Sequence, residues 1–171
     1  MKIRVTGVDR IIRKLRRYQQ GLEEKQRKFL EELAKIGIDT AAVKFSEAIY
    51  DGENDVAVGR TPEWIGENRL LITASGRPIT FIEFGSGVHY TEQHPKAAEM
   101  GFTRGTYGKG KGSLDSWTYY GSPGTAGKFV RESDKGTVYR THGNPPARAM
   151  YDAGKEMRNR IVEIAREVYG K

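Results

Sequence analysis

A row of apolar residues at steps of three and four, between positions 30 and 49, limits the fold more than any other feature. This spacing places the row on one side of an α-helix, so it predicts a helix over about residues 22–50. Asp51-Gly52 supplies a stop signal, because glycine adopts the left-handed conformation at which many helices end. A helix with one apolar side requires other elements to cover that side. The row consists of Leu30, Leu33, Ala34, Ile38, Ala41, Phe45 and Ile49.

Residues 9–20 predict a separate amphipathic helix, with Gly21 between it and the long one, and residues 2–5 predict a short strand. The first thirty residues hold ten Lys or Arg and three Asp or Glu, so they account for the whole net charge of +7. Such a concentrated field indicates an acidic partner: nucleic acid, an acidic protein ring or an anionic membrane. We expect no membrane partner, because the apolar side is short. The candidate contacts to DNA or to another acidic partner are Arg10, Arg13, Lys14 and Arg17.

Beyond the long helix the apolar period changes from helical to alternating. Residues 55–59 predict a short strand, and residues 69–74 and 79–84 predict a hairpin joined by a turn-type sequence. Residues 128–131 and 137–140 predict a second hairpin. The intervening segment 85–127 is rich in glycine and too long for an ordinary connector, so it predicts a functional loop. Within it, SWTYY at residues 116–120 is a further strand candidate.

The last amphipathic segment follows Pro145-Pro146, which we expect to precede the final helix, since proline is tolerated in a first helical turn. Its apolar side again recurs at steps of three and four, from Met150 to Val168. A length of 171 residues fits one domain. We therefore predict a single α+β domain over residues 1–171, in which an antiparallel sheet packs against the long N-terminal helix and the C-terminal amphipathic helix, with an extended Gly-rich loop at 85–127.

The chain carries little that is typical of an active site. There is no cysteine, which excludes disulfides and thiolate chemistry. The glycine-rich stretch 105–111 begins like a phosphate loop, but Gly112 stands where Ser or Thr is needed. The three histidines, His89, His94 and His142, lack metal-site spacing, and we interpret their nearness to acidic residues as accidental. We expect no catalytic residues, no cofactor and no metal, and therefore no enzyme.

Glu83 is the one carboxylate inside the apolar run at residues 79–84. We expect it to face solvent or to accept hydrogen bonds from the loop that follows. The alternative is a buried Glu83 with a raised pKa, which would point to catalysis. The same long loop carries basic and aromatic residues that suit contact with a neighbouring subunit. Stacking of the aromatic rings on single-stranded nucleic acid is the alternative. These candidate interface residues are Lys109, Lys111, Trp117, Tyr119 and Tyr120.

Two blocks together resemble a known family. ITFIEFGSG at residues 79–87 is a strand candidate running into Glu-Phe-Gly-Ser-Gly, and THGNPPARAMYDAGKEM at residues 141–157 is a Gly-Asn-Pro-Pro loop entering a helix. With SWTYY between them, the combination is similar to the minor tail or tail-completion (head–tail joining) proteins of long-tailed phages, the family typified by gene product ten of phage Hong Kong ninety-seven. The family's Asp-Thr-Gly-x-Leu stretch is only partly present, since Ala41 and Val43 replace its Gly and Leu.

The resemblance implies a structural virion protein. Such a subunit forms a homo-oligomeric ring at the head–tail interface or the top of the tail, contacts other phage head–tail or tail proteins, and needs no cofactor. It is assembled in the bacterial host cytoplasm, and DNA passes through the ring lumen. The alternative from the residues themselves is a nucleic-acid-binding module that uses the basic N-terminal helix, although the chain shows no helix-turn-helix or zinc-finger pattern.

Overall fold

The computed structural model of the protein describes residues 8–90, 92–104 and 111–170. Its longest element is a single helix, α1, over Val8–Ser46. The two helices predicted on either side of Gly21 are therefore one. A glycine inside a helix costs only about 1 kcal/mol relative to alanine, which a long flanking pattern overcomes. The strand predicted at residues 2–5 lies outside the described residues.

The C-terminal helix, α3, covers Ala149–Tyr169 and runs antiparallel to the second half of α1. The ring of Phe29 lies 5.9 Å from that of Tyr169 at one end of the contact. At the other end, Lys44 Nζ lies 2.8 Å from Asp152 Oδ2. Pro145 and Pro146 precede α3, as predicted, and Arg148 adopts a left-handed conformation (φ 54°) just before the helix begins.

The core forms where the end of α1 meets the start of α3. Small side chains predominate there, which lets the two helix backbones approach closely. Gly37, midway along the contact, lies so near Ile72 and Met157 that an added Cβ would stand 2.7 Å from each. The buried cluster consists of Ala41, Phe45, Ala48, Ile82, Ala149 and Ala153.

The hairpin predicted for residues 69–84 is wrong. Residues 79–84 form a short helix, α2 (Ile79–Phe84), in which Ile82 is completely buried. The remaining segment forms two small antiparallel pairs: β1 (Ala57–Val58) with β4 (Ala74–Ser75), and β2 (Glu63–Trp64) with β3 (Leu70–Leu71). β-Propensity is weak enough that packing against a core overrides it. One helical turn directs Ile82 and Glu83 inward together.

The second predicted hairpin and the SWTYY strand are confirmed. β5 (Trp117–Tyr120), β6 (Lys128–Ser133) and β7 (Gly136–Thr141) form an antiparallel sheet in the order β5-β7-β6. The α+β class is likewise confirmed, although three small antiparallel sheets replace the one that was predicted. No helix among the described residues has the length and apolar character of a membrane span.

The first part of the long loop packs against the body through successive turns. His94 and Ala97 are buried, and the ring of Phe102 stacks on that of Phe84 with centroids 4.1 Å apart. After the gap at residues 105–110, a 3₁₀ turn over Lys111–Ser113 leads into β5. The described portions of this loop therefore include buried anchors as well as exposed polar residues.

Candidate functional site

The first candidate site is the exposed beginning of α1, residues 10–24, which we name the N-terminal arm. Every side chain between residues 10 and 20 is exposed to solvent. At a rise of 1.5 Å per residue, the arm is about 22 Å long. Because it continues the packed part of α1 without a break, its orientation relative to the body is set by that helix.

The arm presents an apolar row that nothing in the described part of the chain covers. Its members are between 45% and 73% exposed: Ile11, Leu15, Tyr18 and Leu22. On an ideal helix these four side chains fall within roughly 60° of arc, so they form one continuous stripe. A stripe of this kind on a soluble protein is typical of a surface that contacts another molecule.

The four predicted basic contact residues lie on a second stripe of the same arm. All four are exposed, and the chain places no acidic residue between positions 10 and 22. Helical geometry separates the basic stripe from the apolar stripe by roughly 120°. A partner that covers the apolar stripe therefore leaves much of the basic stripe accessible. This stripe contains Arg10, Arg13, Lys14 and Arg17.

The described interface candidates of the long loop divide between two places: Lys111 and Trp117 line one surface pocket, and Tyr119 and Tyr120 line another. Lys109 lies outside the described residues, and Lys111 is exposed at the start of the 3₁₀ turn. Trp117 and Tyr119 share one face of β5, whereas Tyr120 projects from the other, as the alternation of a strand requires.

Tyr119 lies in a cleft of about 360 Å³, which it lines together with Tyr50, Asp51 and Arg77. Burial, followed by the nearby charge of Asp51, raises the pKa of Tyr119 to about 12. Burial also raises the pKa of Asp51, and a hydrogen bond from the Thr141 hydroxyl partly opposes that shift. Burial in this cleft therefore favours the neutral forms of Tyr119 and Asp51.

The second candidate site is a buried junction in which the two blocks of the family resemblance meet. The backbones of Ser86 and Asn144 exchange two hydrogen bonds, of 2.9 and 3.2 Å. The Ser86 hydroxyl donates to Oδ1 of Asn144, and Nδ2 of Asn144 donates to the carbonyl of Phe81 at 2.9 Å. Asn144 is only 1% exposed, so these bonds satisfy a polar side chain that would otherwise be costly to bury.

Glu83 completes the junction by capping α3. Its Oε2 accepts a hydrogen bond from the Met150 amide at 3.0 Å, and its Oε1 accepts one from the Tyr151 amide at 3.1 Å. A carboxylate is stabilised at a helix N-terminus, because unpaired amides and the helix dipole both favour negative charge. The predicted positions for Glu83, in solvent or bonded to its own loop, are therefore wrong: it is buried and bonded to α3.

The three histidines lie in two different environments, which their spacing in the sequence did not predict. His94 is buried beside Glu83, with Nε2 3.4 Å from Oε1 but without hydrogen-bonding alignment. Its Nδ1 accepts a hydrogen bond from the Lys96 amide. His89 and His142 lie together at the surface on either side of Asp115.

No protein-family model, curated protein or solved structure matches this chain at a significant level.

Proposed function

We propose that the protein is a structural subunit that assembles into a homo-oligomeric ring at the head–tail junction of a long-tailed phage or prophage. It acts by shape and self-association and has no catalytic role. The observation that carries the proposal is the N-terminal arm, whose apolar stripe is exposed along a continuous helix held out from the body.

The arm suits a head-to-tail contact between neighbouring subunits. Its apolar stripe and the body of the chain are different surfaces, and a contact between two different surfaces repeats around an axis and closes into a ring when the rotation between neighbours is a whole fraction of a turn. Covering the stripe removes four large side chains from water, each worth roughly 1.5–3 kcal/mol when fully buried. A gain of that size is large compared with the modest charge interactions of an exposed helix.

The phage setting rests on the resemblance of residues 79–87 and 141–157 to the tail-completion family. The two blocks are far apart in sequence, and they contact each other through Ser86, Asn144 and Glu83. A shared junction supports their treatment as one structural signature. Under this proposal the partners are copies of the same chain and adjoining phage head–tail or tail proteins, and the protein resides in the virion.

Light scattering after size-exclusion chromatography tests the assembly step. The double variant Leu15→Gln/Tyr18→Gln should shift a wild-type oligomer to monomer while leaving the far-ultraviolet circular dichroism unchanged. Val43→Gln is the matched control, because Val43 is also an exposed apolar residue of α1 but lies in the packed half. A wild-type chain that stays monomeric at every concentration, alone and with its neighbouring gene products, would refute the proposal.

Nucleic-acid binding is the second candidate function, and the four exposed cations of the basic stripe favour it. Each phosphate contact contributes roughly 0.9 to the slope of log affinity against log salt concentration. The triple variant Arg13→Gln/Lys14→Gln/Arg17→Gln should therefore lower that slope by roughly 2–3 in a duplex-DNA titration. If the triple variant binds DNA with an unchanged slope, the stripe does not contact phosphates.

A further inference from the structure

Two histidines and one aspartate form a compact surface cluster that lies outside the arm and the buried junction. Nε2 of His89 lies 3.0 Å from Oδ1 of Asp115, and Nδ1 of His142 lies 3.7 Å from Oδ2 of the same carboxylate. Nδ1 of His142 also donates a hydrogen bond to the Asp115 carbonyl oxygen, and an ion bound through Nδ1 would replace that bond. One donor atom from each of the three residues lies within 4.8 Å of the other two. Asp115 therefore stands between two imidazoles, with one oxygen directed towards each.

Strand register brings two of these residues together. Trp117 of β5 pairs with Thr141 of β7, so the residues just before β5 and just after β7 emerge at the same end of the sheet. Asp115 and His142 occupy those two positions, and Nδ1 of His142 also lies 3.1 Å from the Asp115 carbonyl oxygen. The pairing of two strands thus holds the carboxylate beside the second imidazole.

Close backbone contact places the third residue, His89, in the cluster. An added Cβ on Gly87 would stand 2.6 Å from the His142 carbonyl oxygen, and Gly87 has φ 81°, so a side chain would not fit there. The turn that follows Gly87 carries His89 to the edge of the sheet. Three segments that are distant in sequence therefore present one donor each at a place that the fold determines.

We propose that His89, Asp115 and His142 form a binding site for a divalent transition-metal ion of the zinc class. Zinc binds imidazole nitrogen at 2.0–2.1 Å and carboxylate oxygen at 2.0–2.2 Å, so ligand atoms around a tetrahedral ion are about 3.3 Å apart. The two measured separations, 3.0 and 3.7 Å, lie on either side of that value. Two imidazoles with one carboxylate favour zinc and its neighbours over magnesium or calcium, which prefer oxygen ligands.

A bound ion would join the turn after Gly87, the approach to β5 and the end of β7. The three side chains are 50–76% exposed, so the remaining coordination position faces solvent. That position is open to water or to a donor atom from another chain. The site does not depend on the proposed assembly function, and it would stand or fall separately.

Isothermal titration of zinc chloride into untagged, chelator-stripped full-length protein tests the site. The wild type should bind one equivalent, and cobalt(II) should give the strong visible absorption of a tetrahedral complex. His89→Ala, His142→Ala and Asp115→Asn should each weaken zinc binding at least tenfold, since losing even an outer-shell partner costs 10–100-fold. Glu92→Gln is the matched control, because Glu92 is an exposed carboxylate of the same loop outside the cluster.

All three substituted residues are exposed, so circular dichroism should show that each variant remains folded. The proposal also predicts that zinc raises the thermal unfolding midpoint of the wild type and of Glu92→Gln but not of the three cluster variants. Absence of zinc binding by the wild type would overturn it. Unchanged affinity in all three variants would also overturn it, because the ion would then bind elsewhere.

Discussion

The two halves of α1 have similar apolar periodicity but opposite surroundings. In the N-terminal arm, Leu15 and Tyr18 are 61% and 73% exposed, whereas Ala41 and Phe45 in the packed half are 0% and 1% exposed. The packed half lies against α3, and the arm extends beyond it. The comparison teaches that an amphipathic pattern shows that a helix needs a partner but not whether that partner belongs to the same chain.

The largest expected difference between the two halves comes from deleting an aromatic ring in each. Phe45→Ala should lower the free energy of unfolding by about 3–5 kcal/mol, because it leaves a cavity in the core. Tyr18→Ala, the matched change in the arm, should alter it by less than about 0.5 kcal/mol in the monomer. Urea denaturation at low protein concentration measures both. Equal losses would show that the arm is packed within its own subunit.

The packed half depends on α3, whose first turn Glu83 holds in place. Glu83→Ala should lower the free energy of unfolding by about 2–3 kcal/mol, because two buried amides lose a charged acceptor. Glu99→Ala removes a carboxylate from an exposed ion pair with Lys96, so it should cost less than about 1 kcal/mol. Guanidinium denaturation of both variants checks this. A loss below about 1 kcal/mol for Glu83→Ala would mean that water replaces the cap.

Two glycines of α1 give a sharper comparison, because the same substitution should have opposite effects. Gly21 in the arm has nothing within 4 Å of an added Cβ, so Gly21→Ala should stabilise the helix by about 0.5–1 kcal/mol. At Gly37 an added Cβ would stand 2.7 Å from the ends of the Ile72 and Met157 side chains. Overpacking of about 1–3 kcal/mol, less the same helix gain of about 0.5–1 kcal/mol, should leave a net cost of up to about 2 kcal/mol. Thermal unfolding followed by circular dichroism would detect both changes. Stabilisation by Gly37→Ala would show that α1 and α3 are loosely packed.

The smallest predicted effect concerns the ionisation of Tyr119, because burial raises its pKa to about 12. An unfolded tyrosine has a pKa near 10, so the folded state holds this proton more tightly. The resulting stabilisation is complete below about pH 10 and is lost as the pH rises towards 12. Partial exposure of the ring limits it to at most about 1 kcal/mol.

Tyr119→Phe should remove that alkaline loss of stability, as measured by urea denaturation at several pH values between about 9 and 12. Absorbance titrations of the wild type and the variant should differ by one phenol, which ionises near pH 12 rather than near pH 10 as a free tyrosine does. If the phenol missing from the variant titrates near pH 10, the cleft beside Asp51 is fully hydrated.

Much of the fold followed from local patterns. The apolar steps of three and four located α1 and α3, and the alternating residues around the turn before Gly136 located β6 and β7. Such periods report directly which side of an element is buried. The end of α1 was predicted near residue 50, about four residues too late, because the helix ends at Ser46. The left-handed conformation of Arg148 before α3 is likewise not indicated by its sequence neighbours.

The candidate sites were predictable to different degrees. Helical spacing alone grouped Arg13, Lys14 and Arg17 on one stripe. Arg17 is three and four residues from the other two, and residues at those separations are neighbours on a helix surface. The proposed metal site was not predicted, because His89, Asp115 and His142 share no local spacing and meet only through the β5–β7 register and the contact at Gly87.

Local sequence patterns were sufficient to predict the helical and strand periods of the longest segments and to locate the positive charge in the first thirty residues. The folded chain was needed to show that residues 79–84 form a helix, that Glu83 caps α3, and which half of α1 is covered. The reason is the range of the interactions. Periodicity and charge are properties of neighbouring residues, whereas burial and hydrogen-bond pairing depend on segments that only the folded chain brings together.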